Sequence, residues 1–179
     1  MSAEPVQRVV VGVNGSLGNL SALHVALALA RRWEASLVAV HAWAPVGGEV
    51  AYRRAPWKPL LDLYRERAQL ALDGAFSDAF GGQPKDVNVL SVLVRGEAGP
   101  SLVAIAERPT DVIVVGTGHR PWLLRTWVGP VSRYCVSHAR CPVLTVPAPA
   151  MLRDIPRSQR RAIGSRDLSL NAATPSSRS

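Results

Sequence analysis

The run Val112-Ile113-Val114-Val115 constrains this chain more than any other stretch. Four β-branched residues in succession are far short of the roughly 20 needed to cross a membrane, and they lack the polar alternation of a half-exposed strand. They fit a strand buried on both faces, the kind found in parallel sheets. The run stops at Gly116, with Gly118 two residues on, and glycines at such a turn leave backbone N–H groups open to close approach by an anionic ligand. A loop carrying His119, Arg120 and Pro121 follows. Gly129 and Pro130 mark a second turn, residues 131–138 read as a short helix ending before Cys141-Pro142, and residues 143–146 read as a last strand.

The same alternation of strand and helix signals runs through the rest of the chain. Residues 8–13, RVVVGV, form an apolar strand pattern, and the turn formers Asn14 to Gly18 follow it. Asn19 or Ser21 is expected to cap the next helix, in which Leu23, Leu27 and Ala30 share one face. Residues 35–43 are a second strand, and 47–59, rich in glycine and proline, read as a loop. Leu60, Tyr64, Ala68, Leu72 and Ala75 then step at helical spacing until Gly81-Gly82. Residues 87–94 give a third strand, Gly96 to Pro100 a turn, and Leu102, Ile105 and Ala106 the inward face of a further helix. Five strands separated by helices predict an α/β fold, a doubly wound parallel sheet of the Rossmann-like kind, because each parallel crossover needs a helix and right-handed connections cover both faces.

A strand, a glycine turn, a glycine thirteen residues later at a helix start, and the ending SRYCVSHARCPVLTVP together resemble the universal stress protein family. The opening VVVGVNGS and the strand LVAVHAW are similar to it as well. The family pattern is Gly-x-x-Gly, nine residues, then Gly-Ser or Gly-Thr, and Gly116 and Gly129 occupy its first and last glycine positions. Three positions depart from the family: His119 stands at the second glycine, with Gly118 one residue early; Pro130 stands at the phosphate-binding hydroxyl; and Asn14 stands at an aspartate. The resemblance implies strand order 3-2-1-4-5, an adenine-nucleotide α-hydrolase-like arrangement, with the ligand crevice between the first and fourth strands. It further implies that the backbone at Ala42 meets adenine, that Val13 and Asn14 lie beside the nucleoside, and that Gly116, Gly118, His119, Gly129 and Pro130 surround ribose and phosphates. His119 adds bulk where phosphate approaches backbone, and Pro130 removes a hydroxyl and an N–H donor, so ATP is expected to bind weakly or not at all. Arg120 and Arg125 supply positive charge nearby and keep AMP or a cyclic nucleotide in view. The resemblance also implies a homodimer joined through the last strand.

Composition bounds the remaining choices. The hydrophobic fraction of 47% in 179 residues supports one domain, expected at 6–148, with a basic, disordered tail at 149–179. Of the net charge of +8, half falls after Met151, where six arginines face Asp154 and Asp167 with little aliphatic clustering. A solvated tail is preferred over an arm for nucleic acid or an acidic partner. The start MSAEPVQR lacks the layout of a signal peptide, and with no membrane-length apolar run the expected location is the cytoplasm. Cys135 and Cys141 are too few for a disulfide framework; with His138 they offer only three ligands of a zinc site, so no metal is expected. Val13-Asn14-Gly15-Ser16 is neither a P-loop nor a nucleophile elbow, and His41, inside an apolar strand, reads as a satisfied core histidine. The expectation is a nucleotide-binding sensor or regulatory module in a stress response, not an enzyme, with weak ATPase activity left open; the alternative is an interaction protein of the same fold that binds no nucleotide.

Overall fold

The computed structural model describes residues 4–14, 17–117 and 129–147. The chain divides into two units, Met1–Ala148 and Pro149–Ser179, and every described residue falls within the first. In chain order the elements are β1 (Arg8–Gly12), α1 (Leu17–Arg32), β2 (Ser36–Trp43), α2 (Gly48–Arg54), α3 (Lys58–Phe80), β3 (Val89–Arg95), α4 (Ala98–Ile105), β4 (Asp111–Gly116), α5 (Pro130–His138) and β5 (Val143–Val146). The sheet has five strands in the order β3-β2-β1-β4-β5, and every pairing is parallel. This is the doubly wound α/β architecture expected from the sequence.

The central strands owe their unbroken apolar runs to burial on both sides. Val9, Val11, Leu37, Ala39, Val112 and Val114 pack with Leu23 and Leu27 of α1 and with Leu72 and Phe76 of α3. The alternate residues Val10, Val38, Val40, Ile113 and Val115 pack with Leu102 of α4 and Cys135 of α5. With a period of two, one strand thus feeds two cores, and each fully buried valine or leucine contributes roughly 1.5–3 kcal/mol relative to exposure. β3, at one edge, shows the weaker burial that its mixed sequence anticipates.

Two local expectations are corrected. Residues 47–59 were expected as a loop, yet Gly48–Arg54 form α2. None of its residues is buried; Glu49 accepts two bonds from the Arg95 guanidinium at 2.7 and 2.9 Å, and that guanidinium lies 4.8 Å from the Tyr52 ring. Nor do Asn19 and Ser21 cap α1, which begins at Leu17 and contains both. The stop for α3 falls where expected: Gly81 takes the left-handed conformation at φ 70°, open to glycine without strain, and its N–H bonds the Ser77 carbonyl at 2.8 Å.

Candidate functional site

The carboxyl ends of β1 and β4 are the place to look, because the chain winds away from them in opposite directions and leaves a crevice. On the β1 side the backbone of Val13 is pinned twice by β2. Its N–H donates to the Val40 carbonyl at 2.7 Å, and its carbonyl accepts from His41 Nδ1 at 2.8 Å. The second bond fixes the tautomer, since a carbonyl can only accept. His41 is 8% exposed, and burial lowers its pKa against the opposing effect of the Val13 bond, so the ring is neutral at pH 7. A satisfied core histidine is what the sequence predicted, but this one braces a residue of the crevice.

On the β4 side three bonds shape the turn. The Thr117 N–H donates to the Val146 carbonyl at 2.9 Å, the Gly129 N–H to the Thr117 carbonyl at 3.2 Å, and the Ser132 hydroxyl to the Gly116 carbonyl at 2.8 Å. Ser132 is 1% exposed. Gly129 precedes α5 and Pro130 is its first residue, where proline forfeits no intrahelical bond and its fixed φ suits the helix.

Between these two sides lies a cavity of about 170 Å³. Six of the predicted residues line it together: Val13, Asn14, Ala42, Gly116, Gly129 and Pro130. Gly118 and His119 lie outside the described residues. Val40, Leu102 and Val115 complete the apolar walls, and Asn19 and Ser132 add polar groups that the sequence reading did not assign to the site. Both were findable. Asn19 stands in the first turn of α1 and Ser132 in the first turn of α5, and first turns of helices that start at strand ends face the crevice.

Among the described residues the cavity lining carries no charged side chain. An apolar cavity of about 150 Å³ accepts a benzene-sized ring, so this one suits a flat ring system with its edge hydrogen-bonded by amide, hydroxyl or backbone groups. The two cysteines are free and buried, and burial pushes the Cys135 thiol up to about 11, which keeps it protonated and inert. Among the described residues no cluster of His, Cys, Asp or Glu is arranged to hold a metal, and no helix is long and apolar enough to cross a membrane.

A parallel sheet of this order, with a ring-sized cavity at its reversal point, defines a Rossmann-like α/β protein. Comparison with known proteins narrows the class. Residues 5–147 match the model of the universal stress protein family. Universal stress protein Rv1996 of Mycobacterium tuberculosis is 30% identical over 145 residues, 81% of this chain but 45% of the relative, so the chain spans about half the length of the curated relatives it first matches. Among solved structures, universal stress protein UspA from Lactobacillus plantarum superposes with a TM-score of 0.62 at 23% identity, covering 79% of this chain and 97% of that one. A universal stress protein solved in complex with cAMP superposes with a TM-score of 0.51 at 26% identity, covering 82% of this chain and all (100%) of that one. The chain belongs to the universal stress protein family.

Proposed function

We propose that this protein binds an adenine nucleotide in the cavity between β1 and β4 and serves as a sensor or regulatory module in a stress response, without a dedicated catalytic apparatus. The observation that carries this reading is the convergence of Val13, Asn14, Ala42, Gly116, Gly129 and Pro130 on one ring-sized cavity at the strand-order reversal. Ala42, at the end of β2, offers its backbone to the adenine edge, and the glycine turns face the ribose and phosphate. Support also comes from the relative in complex with cAMP. Calorimetric titration with ATP, AMP and cAMP tests the reading: AMP or cAMP is expected to bind more tightly than ATP, and heats indistinguishable from dilution for all three would sink it.

One observation favours a second reading, an interaction protein of the same fold that holds no nucleotide. Pro130 brings neither N–H nor hydroxyl to the start of α5, so phosphate loses two donors at that point. In either reading the expected assembly is a cytoplasmic homodimer paired along β5. β5 is the sheet edge beyond β4, Leu144 is 39% exposed, and an uncharged edge strand offers unpaired backbone groups. Light scattering on wild type and Thr145→Pro checks this: a dimer becoming a monomer is expected, and a monomeric wild type at micromolar concentration removes the interface.

A further inference from the structure

Beside the ring-sized cavity runs a larger one of about 410 Å³, between the start of α4 and the outer face of α5. Ala98, Pro130 and Val131 line both, so the two spaces share a wall. The smaller cavity alone falls below the roughly 300 Å³ at which pockets for whole small molecules begin, and the pair together exceeds it. We infer that the two form one bipartite site and that the groove takes the second half of a dinucleotide, a nucleoside joined through a pyrophosphate to the one in the smaller cavity. This rests on the adenine-nucleotide reading above.

The groove offers a nucleoside phosphate what it needs. Its wall carries the Tyr134 and His138 rings, stacked with centroids 4.1 Å apart and planes 8° from parallel. The pair is held in place before any ligand arrives. His138 Nδ1 donates to the Tyr134 carbonyl at 2.9 Å, and Tyr134 lies so close against α4 that a Cβ on Gly99 would sit 2.9 Å from its Cγ. Rigid aromatic surfaces bind bases by stacking, with little ordering cost on the protein side. Arg133 on the same wall presents an exposed guanidinium, suited to phosphate oxygens, while Glu97, just before α4, is a carboxylate suited to ribose hydroxyls. Among the described residues neither is engaged in an ion pair. AMP would place its base in the small cavity and leave all four groups unused.

Calorimetry with AMP and with diadenosine diphosphate decides the matter. Wild type is expected to bind the dinucleotide at least about tenfold more tightly, the effect of one stacked base and more than the twofold statistical gain of a two-ended ligand. Tyr134→Ala should erase that gain with AMP unchanged. Because Tyr134 also packs against α4, the exposed His138→Ala supplies a second variant, expected to lose most of the gain without touching the core. AMP binding with no preference for the dinucleotide, or a preference unchanged in His138→Ala, overturns the groove alone. Failure of both ligands to bind removes the adenine reading and this proposal with it.

Discussion

β1 and β4 pair in parallel from Arg8 beside Asp111 to Val11 beside Val114, and the two ends of the pair are built from opposite chemistry. At the amino end Arg8 grips the Asp111 carboxylate through Nε at 2.8 Å and a terminal nitrogen at 2.6 Å, and the Arg108 N–H adds a third bond to it at 3.0 Å. Asp111 has no exposure at all, and Arg8 also donates to the Ile105 carbonyl at 3.1 Å. A buried ion pair is costly to desolvate, and here the cost is offset because the carboxylate is bonded on both oxygens. At the carboxyl end, among the described residues, no ion pair forms: Val13 and Gly116 are held by neutral backbone, imidazole and hydroxyl groups around open space. One end of the strand pair is closed by side chains, and the other is braced so that it stays open. Stability and binding should therefore be separable by mutation.

Breaking the closed end should have the largest effect. Arg8→Met leaves Asp111 buried with a single remaining bond, and loss of one partner of such a pair costs about 3–5 kcal/mol. Urea unfolding should register that loss while any nucleotide affinity stays within a factor of two. A loss under about 1 kcal/mol would mean that water reaches Asp111 and that the amino end is no lock.

The open end answers to different changes. Pro130→Ser returns an N–H and a hydroxyl to the first position of α5, and one charge-assisted bond to phosphate, at about 1.5 kcal/mol or more, tightens ATP about tenfold. Unfolding free energy should barely move. No gain in ATP affinity by calorimetry would show that phosphate does not pass this residue. Smaller still is Gly99→Ala, in the wall shared by α4 and α5. Overpacking against Tyr134 costs about 1–3 kcal/mol, the added helix propensity returns up to about 1, and a net loss of about 1 kcal/mol in urea is expected. A stabilised variant would mean that α5 moves away freely and that the groove has no fixed width.

The same contrast explains what the sequence revealed. The strands were legible because two-sided burial writes itself as unbroken runs such as Val112 to Val115, and the helix stop at Gly81 because the left-handed conformation favours glycine. Six residues that line the cavity had been singled out through glycine spacing and family likeness, because a chain that reverses sharply at a strand end restricts residue type locally. α2 was not legible. Its sequence, flanked by Gly47 and by Pro56, carries loop signals, and the contact that holds it comes from Arg95, 46 positions away. Ser132 and Asn19 escaped for a related reason: a small polar residue in a first helical turn reads as a cap or as surface until the fold points it at a neighbouring strand. The Arg8–Asp111 lock, 103 positions apart, leaves no local mark at all.

The subtlest test of the two ends is their response to pH, which should distinguish a rim braced by an uncharged ring from an amino end held by ions. His41 donates through Nδ1 to the Val13 carbonyl, and its burial lowers its pKa from the ordinary value near 6.5. Above that value the ring is neutral in folded and unfolded chains alike, so its contribution to stability is complete. As the pH falls below about 6.5 the unfolded chain takes up a proton that the folded chain resists, and stability declines until the lower, folded-state pKa is passed. Urea midpoints measured in steps from pH 7.5 to 5 should therefore fall in the wild type. In His41→Gln, whose amide can donate to Val13 but does not titrate, that part of the slope should vanish, while Arg8→Met should be less stable at every pH with the slope retained. An identical slope in wild type and His41→Gln would show that water reaches the ring, and the rim would then owe its shape to the Val13–Val40 backbone bond and not to the imidazole.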